Sequence, residues 1–204
     1  VTDGSENYDG YFQWANYGAN LGTPNPVEQA LAADNRSVVN RVIGNLQLDY
    51  ALPFLPELRA NLNLATDYAT SEGHNNRPKT SPSVLTAPLY GRLSDYSGTN
   101  YNNLLDFYLN YNKDMAGINS VIDVTAGYSW QHFEREGQSY TRGRVDAEHP
   151  LYQKSDSSSF ITENYLVSFF GRVNYTYAGK YLVTLTLRED GSSRFAKNNR
   201  WGTF

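Results

Sequence analysis

Apolar residues recur at every second position in six stretches of the chain, a pattern typical of β-strands with one apolar and one polar face. The clearest case is the stretch 181–188, whose odd positions are apolar and whose even positions are mostly polar. The stretch 165–177 has the same alternation, with Phe170 as an apolar exception on the polar face. Residues 178–180 contain Gly179 and join the two stretches, so together they predict a β-hairpin.

The same plan appears three times, which predicts an all-β, antiparallel structure of about six strands. The hairpins are expected at 37–72, 102–135 and 160–191, each with a short turn at one end. The polar segments 1–36, 73–101, 136–159 and 192–204 are predicted to be loops at the opposite end. Within the first of them, N-P-V-E-Q-A-L at 25–31 predicts a short helical turn, because proline is tolerated at a helix start.

Aromatic residues of the apolar faces fall into two groups. One group lies near the short turns and comprises Tyr50, Tyr111, Tyr175, Tyr177 and Tyr181; the other lies toward the long loops and comprises Tyr68, Tyr128, Trp130 and Tyr165. Two aromatic belts around an apolar band, with short turns at one end and long loops at the other, are typical of transmembrane β-barrels. The sequence therefore predicts a segment of a barrel wall with short periplasmic turns and long extracellular loops. A soluble, lectin-like β-sandwich is the alternative.

Composition is consistent with this class. The 204 residues carry a net charge of −4 and a mean hydropathy of −0.59, and no run approaches the roughly 20 apolar residues of a membrane-spanning helix. Barrel strands need only about 10 alternating residues, so they escape such a search. The absence of Cys excludes a disulfide framework, and the acidic balance argues against a nucleic-acid partner. The opening residues lack a signal peptide, so we expect the chain to be an internal segment.

The polar faces carry charges that could not contact lipid without a cost of about 2–4 kcal/mol for each Arg near the midplane. We therefore expect them to face a lumen, where most would pair across strands or hold a plug, and fewer would contact substrate. The predicted lumen-facing residues are Arg41, Asn45, Asp49, Arg59, Asn61, Asn63, Asp67, Asp106, Asn110, Asp123, Arg172, Asn174, Thr184, Thr186 and Arg188.

No pattern in the chain indicates catalysis. His74, His132 and His149 are far apart in sequence, and neither an H-E-x-x-H metal motif nor a G-x-S-x-G nucleophile motif occurs. We therefore expect no catalytic residues, no metal site and no cofactor.

The run from Lys180 to Phe204, K-Y-L-V-T-L-T-L-R-E-D-G-S-S-R-F-A-K-N-N-R-W-G-T-F, resembles the barrel signature of the SusC/RagA family of TonB-linked outer-membrane transporters. N-R-V-I-G-N-L-Q-L-D-Y, preceded by N-P-V-E-Q-A-L, is also similar to the middle of that family's barrel. The signature positions, for which we expect a structural role, are Asp190, Gly191, Ser192, Ser193, Arg194, Phe195, Arg200, Trp201 and Gly202.

The resemblance implies a 22-stranded barrel in the outer membrane of a Gram-negative, Bacteroidota-type cell. It also implies an N-terminal plug, coupling to TonB, and a SusD-like lipoprotein lid over the extracellular loops. The imported substrates would be glycans, oligosaccharides or peptides. Because no segment of this chain resembles the plug or the TonB box, we expect a piece of the wall. Two rival functions are a secreted carbohydrate-binding sandwich and a structural or adhesive barrel without TonB coupling.

Overall fold

Each strand in the described part of the chain pairs with the strand that follows it in sequence. The structure is a computed structural model that describes Tyr11 and residues 25–78, 91–143 and 154–204. Over these residues, seven strands form one sheet in the order β1 to β7. The strands are β1 (Asp34–Leu52), β2 (Leu55–Arg77), β3 (Arg92–Met115), β4 (Ser120–Gly143), β5 (Lys154–Tyr177), β6 (Tyr181–Ser192) and β7 (Trp201–Thr203). The predicted antiparallel, all-β fold is confirmed.

The β5–β6 hairpin forms as its sequence predicts. Its register runs from Leu166 opposite Ser192 to Tyr177 opposite Tyr181. Val173 therefore lies opposite Leu185, which keeps apolar side chains paired with each other. The chain reverses through Ala178 and Gly179, whose φ angles are 52° and 64°. Glycine adopts this left-handed conformation without the steric penalty that a β-carbon brings.

Among the described residues, parts of the segments predicted to be loops are extensions of the strands. Residues 73–77 continue β2, 92–101 begin β3, 136–143 continue β4 and 154–159 begin β5. The loop predictions 73–101 and 136–159 are therefore wrong over those residues, while 79–90 and 144–153 lie outside the described part of the chain. Alternation marks a strand only where one of its faces is apolar, whereas ladder hydrogen bonds join backbones whatever the side chains are.

Both ends of the chain also contain more regular structure than the sequence predicts. The predicted helical turn is present as α1 (Pro26–Ala32), and the Asn25 side chain caps it by accepting from the backbone N–H groups of Val27 and Glu28 at 2.9 and 3.3 Å. Of the predicted loop 1–36, residues 34–36 belong to β1, and 1–10 and 12–24 lie outside the described residues.

The prediction of a loop at 192–204 is wrong at both of its ends. Ser192 ends β6, and Trp201–Thr203 forms β7, which pairs with β6 from Glu189 opposite Thr203 to Gly191 opposite Trp201. A 3₁₀ turn at Lys197–Asn199 lies in the connection. A three-residue strand is too short for alternation to reveal, so the prediction of about six strands misses it.

The chain divides into two compact units. Unit 1 comprises Val1–Asn40, Thr70–Thr99 and Glu136–Ile161, and unit 2 comprises Arg41–Ala69, Asn100–Arg135 and Thr162–Phe204. The described strands belong to one sheet, whereas a sandwich divides its strands between two sheets, so the sandwich alternative is wrong. In the described ranges, no helix is both long enough and apolar enough to cross a membrane.

Unit 2 contains the apolar faces and both groups of aromatic residues. Near the short turn of the β5–β6 hairpin, the rings of Tyr177 and Tyr181 stack with centroids 6.3 Å apart. In the other group, Trp130 and Tyr165 approach to 6.2 Å. The rings of Tyr68 and Tyr101 meet edge-on with centroids 6.1 Å apart. Tyr101 therefore joins the long-loop group, although the sequence pattern does not predict it there. We take the membrane-spanning part of each strand to lie between these two aromatic belts.

Candidate functional site

The polar face of unit 2 is the candidate functional surface, and charge pairs between β1 and β2 form its first part. The Arg41 guanidinium donates two hydrogen bonds to the Asp67 carboxylate, both of 2.7 Å. Arg59 donates to Asp49 Oδ1 from two nitrogens, at 3.0 and 2.7 Å. Each of these four predicted lumen-facing residues is thus neutralised by another of them.

Asp123 is the centre of a second group, which extends over four strands. Its carboxylate accepts hydrogen bonds from Asn110 at 3.2 Å and Asn112 at 3.1 Å on β3, and from Asn174 at 3.3 Å on β5. The Asn174 carboxamide oxygen accepts in turn from the Thr184 hydroxyl on β6 at 3.0 Å. The bonded residues are 10 to 51 positions apart in sequence, so the group depends on the assembled sheet.

The other predicted lumen-facing residues are less closely connected. Ser129 donates to Asp106 at 2.5 Å, and Arg188 donates to Asp190 at 2.7 and 3.0 Å and to Ser168 at 3.2 Å. Arg172 lies near enough to Asp123 to interact electrostatically. Within the described ranges, seven of the predicted residues form no side-chain hydrogen bond to another of the set: Asn45, Asn61, Asn63, Asp106, Arg172, Thr186 and Arg188.

The paired charges make this face hydrophilic without leaving a strong field of one sign. A further ion pair, between Lys113 and Glu57 at 3.2 Å, lies just beyond the turn-side end of the apolar band. The backbone N–H of Glu57, and then the Lys113 ammonium, hold the pKa of the Glu57 carboxyl below its usual value. The hydrogen bond to the Glu57 carboxylate raises the pKa of the Lys113 ammonium group. The face therefore offers hydrogen-bonding groups to water or polar solutes.

Unit 1 contains an open groove of about 800 Å³ between its strand segments. Charged or titratable residues line it, among them Arg36, Glu72, His74 and Asp95, together with the aromatic rings of Tyr96 and Tyr140 and several serines. Arg142 donates to Asp95 at 3.0 Å beside it. Hydroxyl, carboxylate and aromatic groups in one groove can contact a polar organic solute by hydrogen bonding and stacking.

The signature residues connect three strands. The backbone N–H of Ser193 donates to the carbonyl of Tyr165 at 3.0 Å, and the Tyr165 N–H donates back to Ser193 Oγ at 2.9 Å. The Arg194 guanidinium donates two hydrogen bonds to Asn164 Oδ1, at 2.9 and 2.6 Å. These contacts fix the β6–β7 connection to β5.

The remaining signature residues close that connection. The Ser192 N–H donates to the carbonyl of Arg200 at 2.9 Å, and Arg200 Nε donates to the carbonyl of Phe195 at 3.2 Å. The ring of Trp201 covers Gly191, where an added β-carbon would approach it to 2.9 Å. Gly202 lies opposite Asp190 in the β6–β7 register. These contacts are consistent with the structural role expected of the signature, which stays a prediction.

A further group was missed by sequence reasoning. His132 and Glu134 on β4 and Glu163 on β5 place three potential metal-ligand atoms within 4.8 Å of one another. The signal available was the His-Phe-Glu triplet at 132–134, because an i, i+2 spacing puts two side chains on one face of a strand. The third member comes from the next strand, and the sequence alone did not connect it.

A single antiparallel sheet, with an apolar face bordered by aromatic belts and a polar, ion-paired face, defines a transmembrane β-barrel wall. The chain is 36% identical over 196 residues, 92% of its length, to the TonB-dependent receptor SusC of Bacteroides thetaiotaomicron. It is also 39% identical over 110 residues to the TonB-dependent receptor P3 of Formosa agariphila, a match that covers 50% of the chain. The chain belongs to the SusC/RagA-type family of TonB-dependent receptors.

Solved structures agree on the fold. The RagAB peptide transporter matches 96% of the chain with a TM-score of 0.74 at 19% identity, and the RagAB peptide importer in its closed-closed state matches 91% with the same TM-score. No protein-family model matches the chain. The chain spans 18% of the length of SusC, 11% of P3 and 22% of the RagAB chain, which is about a fifth or less of each relative.

Proposed function

We propose that this chain forms part of the wall of an outer-membrane importer driven through TonB. The observation that carries the proposal is the 36% identity to SusC across 92% of the chain. The whole protein would take up glycans, oligosaccharides or peptides together with a SusD-like surface lipoprotein. Glycans are what the family resemblance implies, and peptides are what the RagAB transporter carries.

The wall has two tasks in this mechanism. Its apolar face, which includes Leu185 and Val173, remains in lipid, while its polar face lines the lumen. Because Arg41 and Arg59 are already paired with carboxylates, a solute would meet neutralised pairs and amide groups such as Asn110 rather than fixed charges. A plug elsewhere in the whole protein would move to open the path, so the wall needs no moving part.

The groove of unit 1 is the proposed place where this chain contributes to substrate capture. Its mixture of hydroxyl, carboxylate and tyrosine groups suits both glycans and peptides, because either class offers hydrogen-bond donors, acceptors and surfaces for stacking. The substrate class therefore has to be found by transport measurements.

Cysteine labelling in cells tests the orientation of the wall. Single cysteines at Ser157, Thr184 and Leu185 of the full-length receptor are treated with a membrane-impermeant thiol reagent. We expect Ser157→Cys to react on intact cells, Thr184→Cys to react only when the lumen is opened, and Leu185→Cys to remain unreactive. Free reaction of all three would contradict a membrane-embedded wall.

Uptake experiments test the transport proposal itself. We expect a strain that lacks the full-length receptor to lose growth on one class of polymer, either a glycan or a peptide mixture, and a strain that lacks TonB to show the same loss. A SusD-like lipoprotein should co-purify with the tagged receptor from detergent extracts. Unchanged growth without TonB would instead favour a structural or adhesive barrel.

A further inference from the structure

His132, Glu134 and Glu163 form a cluster in unit 2 that the transport mechanism does not use. His132 Nε2 lies 2.9 Å from Glu163 Oε1 and 3.9 Å from Glu134 Oε2. All three ligand atoms lie within 4.8 Å of one another. His132 shares its strand face with Trp130, and Glu163 shares its face with Tyr165, so the cluster borders the long-loop aromatic belt.

The imidazole of His132 is held in place by aromatic rings. Its ring stacks on Tyr165 at a centroid distance of 4.4 Å and an interplanar angle of 8°. Trp130 and Tyr101 approach it at 5.9 and 6.3 Å. These contacts leave only 9% of His132 exposed, and Nε2 points to the two carboxylates. The ring therefore has a fixed direction, as metal-ligating histidines usually have.

The spacing of the three atoms is close to that of a zinc site. Ligands about 2.1 Å from a tetrahedral Zn²⁺ lie roughly 3.4 Å from one another. The observed 2.9 and 3.9 Å from Nε2 lie on either side of this value, and all three atoms lie within 4.8 Å of one another, so small movements of the side chains would bring them into range. One imidazole and two carboxylates are also a donor set that Zn²⁺ accepts, with one position left open.

The charges in the cluster favour a cation. Glu163 Oε1 accepts a hydrogen bond from the Tyr165 hydroxyl at 2.5 Å and lies 2.9 Å from His132 Nε2. Glu163 lies beyond Tyr165 and so outside the membrane-spanning stretch of β5. Two carboxyl groups beside one imidazole offer oxygen and nitrogen ligand atoms at the edge of a low-dielectric region, where a divalent cation is attracted strongly.

We propose that His132, Glu134 and Glu163 bind a divalent cation of the zinc class. The ion joins β4 to β5 at the edge of the apolar band, and Tyr165 orients Glu163 from the outer shell. This inference does not depend on transport, because it rests on unit 2 contacts alone.

The test measures zinc bound to the full-length receptor in detergent, after chelator treatment and incubation with micromolar zinc sulfate. Glu134→Gln is the decisive variant, because Glu134 lies farther from Nε2 and its loss leaves the bond between His132 and Glu163 in place. We expect it to bind one zinc fewer per protein than the unmodified receptor. Glu136→Gln, two residues along the same strand, is the matched control and should retain that zinc.

A second measurement guards against indirect effects. X-ray absorption at the zinc edge should show one nitrogen and two carboxylate ligands in the unmodified receptor, and this signal should be absent from Glu134→Gln. Equal zinc content in the unmodified receptor and in Glu134→Gln would overturn the proposal. Such a result would leave His132 as a hydrogen-bonded residue of the aromatic belt.

Discussion

The ring of Phe170 lies against Gly127, in the space that a β-carbon on this glycine would fill. An added β-carbon would lie 2.5 Å from Phe170 Cζ and 2.6 Å from Tyr108 Cβ. The three residues lie on the adjacent strands β5, β4 and β3, and the alternation places them on the polar face. Phe170, the apolar exception on that face, is thus explained by a glycine on its neighbour.

Replacing Gly127 should therefore destabilise the sheet. We expect Gly127→Ala to lower the free energy of unfolding of the full-length receptor by about 1–3 kcal/mol, because the Phe170 ring must move out of a filled position. Gly117→Ala is the control, since a β-carbon there would meet no atom within 4 Å. Urea unfolding in detergent measures both variants. Equal effects of the two substitutions would contradict the close contact.

The two faces of β6 should tolerate charge differently. Leu185→Arg places a guanidinium on the apolar face, at a cost of about 2–4 kcal/mol near the membrane midplane. Thr184→Arg places the same group on the polar face and removes the hydrogen bond to Asn174. We expect the first variant to reduce the amount of folded receptor in the outer-membrane fraction strongly, and the second to reduce it less. Similar yields would show that the faces are assigned wrongly.

Arg194 should be needed to fix the β6–β7 connection. Asn164 is only 5% exposed, and its carboxamide oxygen accepts both hydrogen bonds from Arg194. Arg194→Ala leaves that buried oxygen without these donors, which costs about 1–3 kcal/mol. We expect faster hydrogen exchange at Ser192 and Ser193 in this variant. Arg200→Ala serves as comparison, because its contact is an exposed one to a backbone carbonyl, and it should change exchange less.

The sequence predicts the parts of this fold that depend on local pattern. Alternation across 181–188 identifies β6, and the Gly179 turn identifies its hairpin, because both signals lie within a few residues. Alternation fades where both faces of a strand are polar, so the extensions of β2 to β5 were predicted as loops. These extensions are recognised only from the backbone hydrogen bonds between neighbouring strands in the structure.

Contacts between distant strands could not be predicted in the same way. Asp123 and Asn174 lie 51 residues apart, and their meeting depends on the register between β4 and β5, which a long connection does not fix. For the same reason the sequence identifies Phe170 as an exception but not its partner Gly127. It also identifies the spacing of His132 and Glu134 but not Glu163.

The carboxylate of Asp123 should contribute more to stability than that of Asp106. Asp123 accepts hydrogen bonds from three asparagines on two neighbouring strands, whereas among the described residues Asp106 accepts a side-chain hydrogen bond from Ser129 alone. In Asp123→Ala the amide groups of Asn112 and Asn174 lose this acceptor. Because hydrogen bonds to charged groups contribute about 1.5–3 kcal/mol when they are partly shielded from water, we expect a loss in that range.

Urea unfolding of the full-length receptor compares Asp123→Ala with Asp106→Ala, for which we expect a loss of about 1 kcal/mol. Asp123→Asn separates charge from geometry, because its single carbonyl oxygen can accept from only part of the group. Its stability should lie between those of the unmodified receptor and Asp123→Ala. If Asp123→Ala were no less stable than Asp106→Ala, water would replace the asparagine donors without loss, and the polar face would be held by its arginine–aspartate pairs instead.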